Sequence, residues 1–265
     1  MKICLTGYKG FVGKHISNFF KNSHSIKKID LRKIKTNKDF NKDIFLKKFK
    51  NADFIINCAA SLNPKNENDI FINQYLPKLI SDYTKKNIKN CTFIQISTIN
   101  VLIKDRQDKY TKSKLIGEKL LKNNNSIILR LPFIYKKKKN KIQKNGNIKI
   151  FFDYLNLKLP FYPMVFPGQI YQPVTIELLM IFLEKIILRK LPFKKCYNLS
   201  GQFKMNTYEI FREIAESQKK NIIKLNLKKI FPNFLLKSFL LKYSFFQQIA
   251  AVDNTKFREQ KYILK

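Results

Sequence analysis

Only 7 of the 265 residues are glycine, and three of those 7 fall in one turn, Gly7-Tyr-Lys-Gly10-Phe-Val-Gly13. A short apolar run, Lys2-Ile-Cys-Leu-Thr6, precedes the turn and reads as a strand. Behind it Val12, Ile16, Phe19 and Phe20 recur at helical spacing. A strand that turns on glycines directly into a helix allows few folds. Gly7 permits the tight turn, Gly10 lets a ligand approach the backbone, and Gly13 lets the helix pack on the strand. The helix start offers free N–H groups and a partial positive charge to phosphates. The segment therefore predicts a dinucleotide site built on Gly7, Tyr8, Gly10, Phe11, Val12 and Gly13.

The rest of the chain repeats strand and helix. Ser25–Ile29 reads as a second strand ending at Asp30, placed to bond the hydroxyls of an adenosine ribose, which favours NAD. Arg32 and Lys33 follow and offer a hold for a 2′-phosphate, so NADP stays open. Asp39 and Phe40, ahead of a helix predicted over 43–50, are candidates for the adenine side. The next strand runs from Asp53 to Cys58, and the small Ala59 and Ala60 beyond it leave room for a cofactor. Ile72, Leu76, Leu79, Ile80 and Tyr83 predict a helix that Pro77 kinks or delays. Strands over 91–96 and 126–131 enclose a further helix, and a last strand is expected at Cys196–Leu199. This alternation predicts an α/β chain with a doubly wound parallel sheet. Beyond Pro132 the reading is a basic loop over 136–150, a long buried helix over 174–190, and a mostly helical remainder. The expected division is 1–135 and 136–265, with 174–200 returning to the first sheet.

Tyr110-Thr-Lys-Ser-Lys114 opens the helix before the 126–131 strand. Residues i and i+4 share a helical face, so the phenol and the ammonium project side by side. An adjacent ammonium favours the phenolate, which suits the pair to acid or base work on a hydroxyl or carbonyl. Leu115, Ile116, Leu120 and Leu121 supply the expected apolar face.

Lysine and arginine number 53 against 18 acidic residues, a formal charge of +35. The lysines are spread along the chain among Asn, Ile and Phe, as A/T-rich codon usage would leave them. Their densest run, Lys136–Lys139, fits either a solvated loop or an anionic partner: a nucleotide diphosphate, or a membrane surface. The apolar segment Phe231–Val252, broken by spaced lysines, fits a helical lid or an interfacial helix. No motif beyond charge points to specific nucleic-acid binding. Cys4, Cys58, Cys91 and Cys196 lack metal-site spacing and read as core residues in a reducing, cytoplasmic setting. No apolar run reaches the length of a membrane span.

Taken together, several pieces resemble the short-chain dehydrogenase/reductase superfamily, in its extended, nucleotide-sugar-modifying branch. They are Thr6-Gly7-x-x-Gly10-x-x-Gly13, Asp53, Asn57-Cys-Ala-Ala60, Asn73, Ser97-Thr98, Tyr110-x-x-x-Lys114 with Gly117-Glu118, and Arg130-x-Pro132. Further on they are Gln172-Pro-Val-Thr-Ile-Glu-Leu178, Tyr197-Asn-Leu-Ser-Gly201 and Asp253-Asn-Thr-Lys256. The resemblance implies a Rossmann sheet with a small, mostly helical C-terminal substrate-binding portion. It implies Tyr110 as acid/base, Lys114 on the nicotinamide ribose, Thr98 (less well Ser97) on the reacting oxygen, and Phe133 near the nicotinamide. It further implies an NAD(P)-dependent reductase or epimerase of a nucleotide-linked sugar, in surface polysaccharide synthesis. A homodimer and, from the lysine run, a peripheral membrane contact are separate expectations. A binding protein without turnover and a reductase of another carbonyl are the alternatives. Dehydratases of this branch carry an Asp-Glu pair after the threonine. Ile99 and Asn100 stand there instead, which argues against elimination. Val101-Leu102-Ile103 in place of Val-Tyr-Gly, and a short interval from Thr98 to Tyr110, are further departures and bear on the substrate.

Overall fold

The computed structural model describes residues 1–31, 41–103, 108–121, 125–139, 141–145, 148–166, 170–226 and 262–264. Two compact units result, one of residues 1–131 and 178–199, the other of 132–177 and 200–265.

The first unit begins with β1 (Lys2–Thr6), α1 (Phe11–Phe20), β2 (Ser25–Ile29), α2 (Lys42–Lys47) and β3 (Phe54–Asn57). It continues with α3 (Glu67–Ile70), a π-helical segment Phe71–Tyr75, α4 (Leu76–Asn87), β4 (Thr92–Thr98), a 3-10 turn Ile99–Leu102, α5 (Lys109–Leu120) and β5 (Ser126–Leu131). A sixth strand, Cys196–Gly201, pairs with β5. The parallel order is Cys196–Gly201, β5, β4, β3, β1, β2. β1, β3, β4 and β5 are almost wholly buried, which is why they read as continuous apolar runs.

One local reading changes, and the delay expected at Pro77 gains a cause. The buried face of α1 is Gly13, Ile16, Ser17 and Phe20, while Phe19 is exposed. Contact between Gly13 and the glycine turn sets that rotation. Pro77 acts through the π segment. It has no N–H to bond the Asn73 carbonyl four residues back, so the chain widens to π geometry over 71–75, and α4 starts with the proline in its first turn.

The second unit corrects the expectation of a loop over 136–150. Lys137–Lys138 pairs antiparallel with Lys141–Ile142, and a helix starts at Lys149. Ile142 and Ile148 are the reason: both are buried in a core with Leu155, Tyr162, Met164, Ile210, Phe211, Ile214 and Ala215. The helix Thr207–Ser217 carries part of this core and starts from a capping box, Asn206 with Glu209. Strand Ile222–Leu225 runs parallel to Tyr162–Val165. The predicted 174–190 helix is shorter, Ile176–Ile187, behind a brief strand Val174–Thr175. Phe231–Val252 and Asp253–Lys256 lie outside the described residues. All four cysteines are free. No described helix is long and apolar enough to cross a membrane.

Candidate active site

The three glycines of the turn meet different demands. Gly7 has φ +64, and a Cβ there would lie 2.5 Å from the Ala59 nitrogen. A Cβ on Gly13 would lie 2.3 Å from the Gly7 oxygen. These two are fixed by packing. Gly10 is exposed, and its Cβ would meet only the Gly7 oxygen, at 3.3 Å. The space over Gly10 is open, which close approach of a pyrophosphate needs. Gly10 also caps α1 without a side-chain bond, and no acidic residue sits in the first turn. The N–H groups of Phe11 and Val12 thus open a helix start that no side chain caps.

Asp30 stands beside this turn. The Tyr8 hydroxyl donates to its Oδ2 at 3.5 Å, and Lys9 Nζ lies 3.8 Å away. Tyr8 and Asp30, separate in the sequence, form one corner of the site. On the β3 side Ala59 is buried, with its N–H on Asn57 Oδ1 at 3.2 Å, and Ala60 is exposed. Arg32, Lys33, Asp39 and Phe40 lie outside the described residues.

Asp108 starts α5 by accepting from the Thr111 N–H at 2.9 Å and the Thr111 hydroxyl at 2.8 Å. That cap fixes Tyr110 in the first turn and Lys114 one turn on. The buried face of the helix is Thr111, Ser113, Lys114, Gly117 and Glu118. Of the expected apolar face only Leu121, just past the helix, is buried; Leu115 and Leu120 are half-buried and Ile116 is 42% exposed. Gly117 explains the inversion. A Cβ there would lie 2.4 Å from the Asn73 oxygen, so α5 crosses the π segment at backbone contact. Asn73, itself buried, bonds the Ser61 N–H at 2.9 Å, the Ser61 carbonyl at 2.8 Å and Ser113 Oγ at 2.9 Å. The Asn73 carbonyl thus faces the one residue of α5 that carries no Cβ.

Lys114 ends a buried polar chain that crosses the sheet. The Thr6 hydroxyl donates to Asn57 Oδ1, and Asn57 Nδ2 donates to Gln95 Oε1 at 2.7 Å. Gln95 Nε2 and Lys114 Nζ both donate to the Ile96 carbonyl, each at 2.7 Å. Burial pushes the Lys114 ammonium down to about 8, against the Glu118 carboxylate and Cys58, which hold it up. Lys114 is therefore still mainly cationic at neutral pH. Burial also pushes the Cys58 thiol up to about 12, which leaves it protonated and a poor nucleophile. Asn57 and Gln95 were not among the expected site residues. The available signal was an amide in each of two otherwise apolar strands, where a buried amide must find partners.

Glu118 fastens the far end of the same face. Arg130 grips it through Nε at 3.1 Å and Nη2 at 2.8 Å, and Arg130 Nη1 reaches Asn198 Oδ1 at 3.2 Å. The pair is nearly enclosed, with side-chain exposures of 15% and 4%. It ties α5 to β5 and to the Cys196–Gly201 strand.

Thr98 closes β4, and α5 packs against both β4 and the 3-10 turn that follows. Its Oγ1 accepts from the Asn100 N–H at 3.3 Å, leaving the hydroxyl proton for an incoming oxygen. Ser97, on the opposite face of the strand, is buried with no hydrogen-bond partner for its hydroxyl. Phe133 belongs to the second unit, where its ring packs with Tyr171 at 5.3 Å and Tyr135 at 6.5 Å. Lys137 of the basic run is ion-paired with Glu213 at 2.7 Å.

A family model described as RmlD substrate binding domain matches residues 1–233. No curated protein matches the chain. Among solved structures, a dTDP-4-dehydrorhamnose reductase from Clostridium acetobutylicum is 20% identical with a TM-score of 0.68, covering 88% of this chain and 86% of that one. Another such reductase, from Bacillus anthracis and in complex with NADP, is 18% identical with a TM-score of 0.66, covering 86% and 85%. A UDP-glucuronic acid 4-epimerase from Bacillus cereus, in complex with NAD, is 18% identical with a TM-score of 0.61, covering 84% and 88%. At these identities the likeness is one of fold.

Proposed function

The chain belongs to the RmlD substrate binding domain family, and on that premise we propose that it is an NAD(P)-dependent reductase or epimerase of a nucleotide-linked sugar. The observation that carries the reading is α5, whose buried face is polar and holds a cationic lysine one turn from Tyr110. Packing alone would bury the leucines of that helix. The solved relatives named above are a pair of dTDP-sugar reductases, one with NADP, and a UDP-sugar epimerase with NAD, which supports this class of substrate and cofactor.

The bound nicotinamide would supply or accept the hydride. The open Gly10 and the uncapped start of α1 fit its diphosphate, and Asp30 fits the adenosine ribose. Lys114, pinned by the Ile96 carbonyl, holds the nicotinamide ribose hydroxyls and presents its charge to Tyr110. Tyr110 gives a proton to the sugar oxygen as a carbonyl is reduced, and takes it back in the reverse direction. Thr98 donates to the same oxygen and orients it. Phe133 is assigned to the nicotinamide. Ile99 and Asn100 follow Thr98 in the 3-10 turn, so this turn brings no carboxylate for an elimination step. In this reading residues 1–135 hold the dinucleotide and 136–265 the sugar, with 174–200 returning to the sheet. We place the protein in the cytoplasm, in surface polysaccharide synthesis. A homodimer is supported by the exposed Ile70, Tyr75 and Ile116 on neighbouring helical segments. Peripheral contact with an anionic membrane completes the reading.

Purified protein is to be titrated with NAD, NADP, NADH and NADPH by calorimetry, then incubated with the reduced cofactors and keto forms of nucleotide sugars and with the oxidised cofactors and the parent nucleotide sugars, with products identified by NMR. The expected result is dinucleotide binding and conversion of at least one sugar. Binding with no conversion across the panel returns the chain to the class of binding proteins without turnover.

A further inference from the structure

We propose that one edge of the second unit, formed by residues 156–161 and 219–224, is the surface that seats the protein on an anionic phospholipid membrane. The inference deepens the membrane part of the function proposed above and rests on it. Asn156 to Phe161 are six consecutive exposed residues. Leu157, Leu159 and Phe161 among them are 51%, 42% and 49% exposed. A soluble surface carries single exposed leucines freely, but a run with phenylalanine at its end marks an interaction site.

The second segment adjoins the first. The Tyr162 N–H bonds the Asn221 carbonyl at 3.0 Å. The buried Tyr162 hydroxyl reaches back to the Leu155 carbonyl at 3.0 Å, and Lys220 Nζ lies 5.7 Å from the Tyr162 ring centroid. Ile223, 41% exposed, extends the apolar edge along the strand that pairs with Tyr162–Val165.

Charge decides what occupies it. Lys158, Lys219, Lys220 and Lys224 are all exposed, and residues 155–166 and 218–226 contain no aspartate or glutamate. Lys224 Nζ sits 3.6 Å from the Phe166 ring centroid, an ammonium held against an aromatic face at the same edge. Apolar side chains with lysines between them match the boundary of an anionic bilayer. The side chains enter the acyl edge and the ammonium groups stay among the headgroups. A neutral protein partner would gain nothing from four unopposed lysines.

The chain has no tryptophan, so Phe161→Trp introduces a single reporter, with Ile44→Trp on the first unit as control. Each full-length variant is mixed with phosphatidylcholine vesicles, with or without phosphatidylglycerol and brominated lipid. At position 161 the indole should be water-exposed in solution, then shift to the blue and be quenched by bromolipid in anionic vesicles. At position 44 it should not respond. Lys220→Gln with Lys224→Gln should weaken sedimentation with anionic vesicles by about fivefold per lysine, with NADH affinity unchanged. An indole at 161 already shielded without vesicles would mean that another segment or a second copy covers the edge. Anionic vesicle binding that neither quenches position 161 nor responds to the lysine changes would place the membrane surface elsewhere. No vesicle binding at all would end the membrane reading. Cofactor titration of the same samples reports separately on the catalytic proposal.

Discussion

Replacing Lys114 by methionine separates what its charge does for function from what it does to stability. Burial lowers the ammonium from the ordinary 10.5 to about 8. At about 1.36 kcal/mol per unit, that is roughly 3 kcal/mol against folding when the group is charged. Methionine also gives up the N–H···O bond that the amine makes to the Ile96 carbonyl in either protonation state, about 1–2 kcal/mol. That carbonyl keeps its second donor, Gln95 Nε2, when the lysine is gone. Glu118 likewise keeps Arg130. Lys114→Met should therefore be as stable as the parent at pH 7 without cofactor, or more stable by about 1 kcal/mol, while turnover falls about 100-fold or more.

The pH dependence has a definite sign. The folded-state pKa lies below the unfolded one, so the unfolded chain binds the extra proton between about 8 and 10.5. The parent's handicap is complete below pH 8 and fades as pH rises through that window. Urea denaturation of both cofactor-free proteins from pH 6 to pH 10 measures it. The gap should favour the variant, or vanish, at neutral pH and should move toward the parent above pH 8. A variant less stable by 3 kcal/mol or more at every pH would show that Lys114 holds the fold, and the argument from burial would fail.

Gly13→Ala should cost several kcal/mol, since its Cβ would overlap the Gly7 oxygen at 2.3 Å, whereas Gly10→Ala, meeting that atom at 3.3 Å, should fold normally and bind NADH more weakly. Chemical denaturation and calorimetry on the two variants check the contrast, and equal stabilities would refute it. Tyr110→Phe should keep cofactor affinity while losing about 100-fold or more in turnover, measured under saturating cofactor. Gln95→Leu removes a donor from Ile96 and a partner from the buried Asn57 amide. It should destabilise by about 1–3 kcal/mol, and an unchanged denaturation midpoint would show that the chain of bonds across the sheet carries no weight.

The positions of the parallel strands were legible because each central strand is buried on both faces and so is written as a nearly continuous apolar run. The glycine turn was legible because few glycines occur elsewhere to dilute it. Reading failed where the buried side of an element is polar. Leucines at 115, 120 and 121 suggested a face for α5, but Gly117 and the hydrogen-bonded Asn73 set its orientation, and a periodicity of apolar residues cannot report that. The lysine-rich stretch after Pro132 hid a hairpin for the opposite reason. Its core anchor Ile142 is isolated among polar residues, and Ile148 stands apart from it across a polar stretch. Lys137, which looked free for an anion, is matched by Glu213, 76 positions away in the chain.

The most direct test of the central claim follows the hydride. Protein is incubated with NADH and NADPH deuterated at the nicotinamide C4 and a panel of keto nucleotide sugars, and in parallel with NAD and NADP and the parent nucleotide sugars. Deuterium is then located by mass spectrometry and NMR. The account predicts label on a sugar carbon for a reductase, or cofactor-dependent inversion at one carbon for an epimerase, and loss of either in Tyr110→Phe. Dinucleotide bound with neither label nor inversion in any sugar, or the same conversion by Tyr110→Phe, would contradict it.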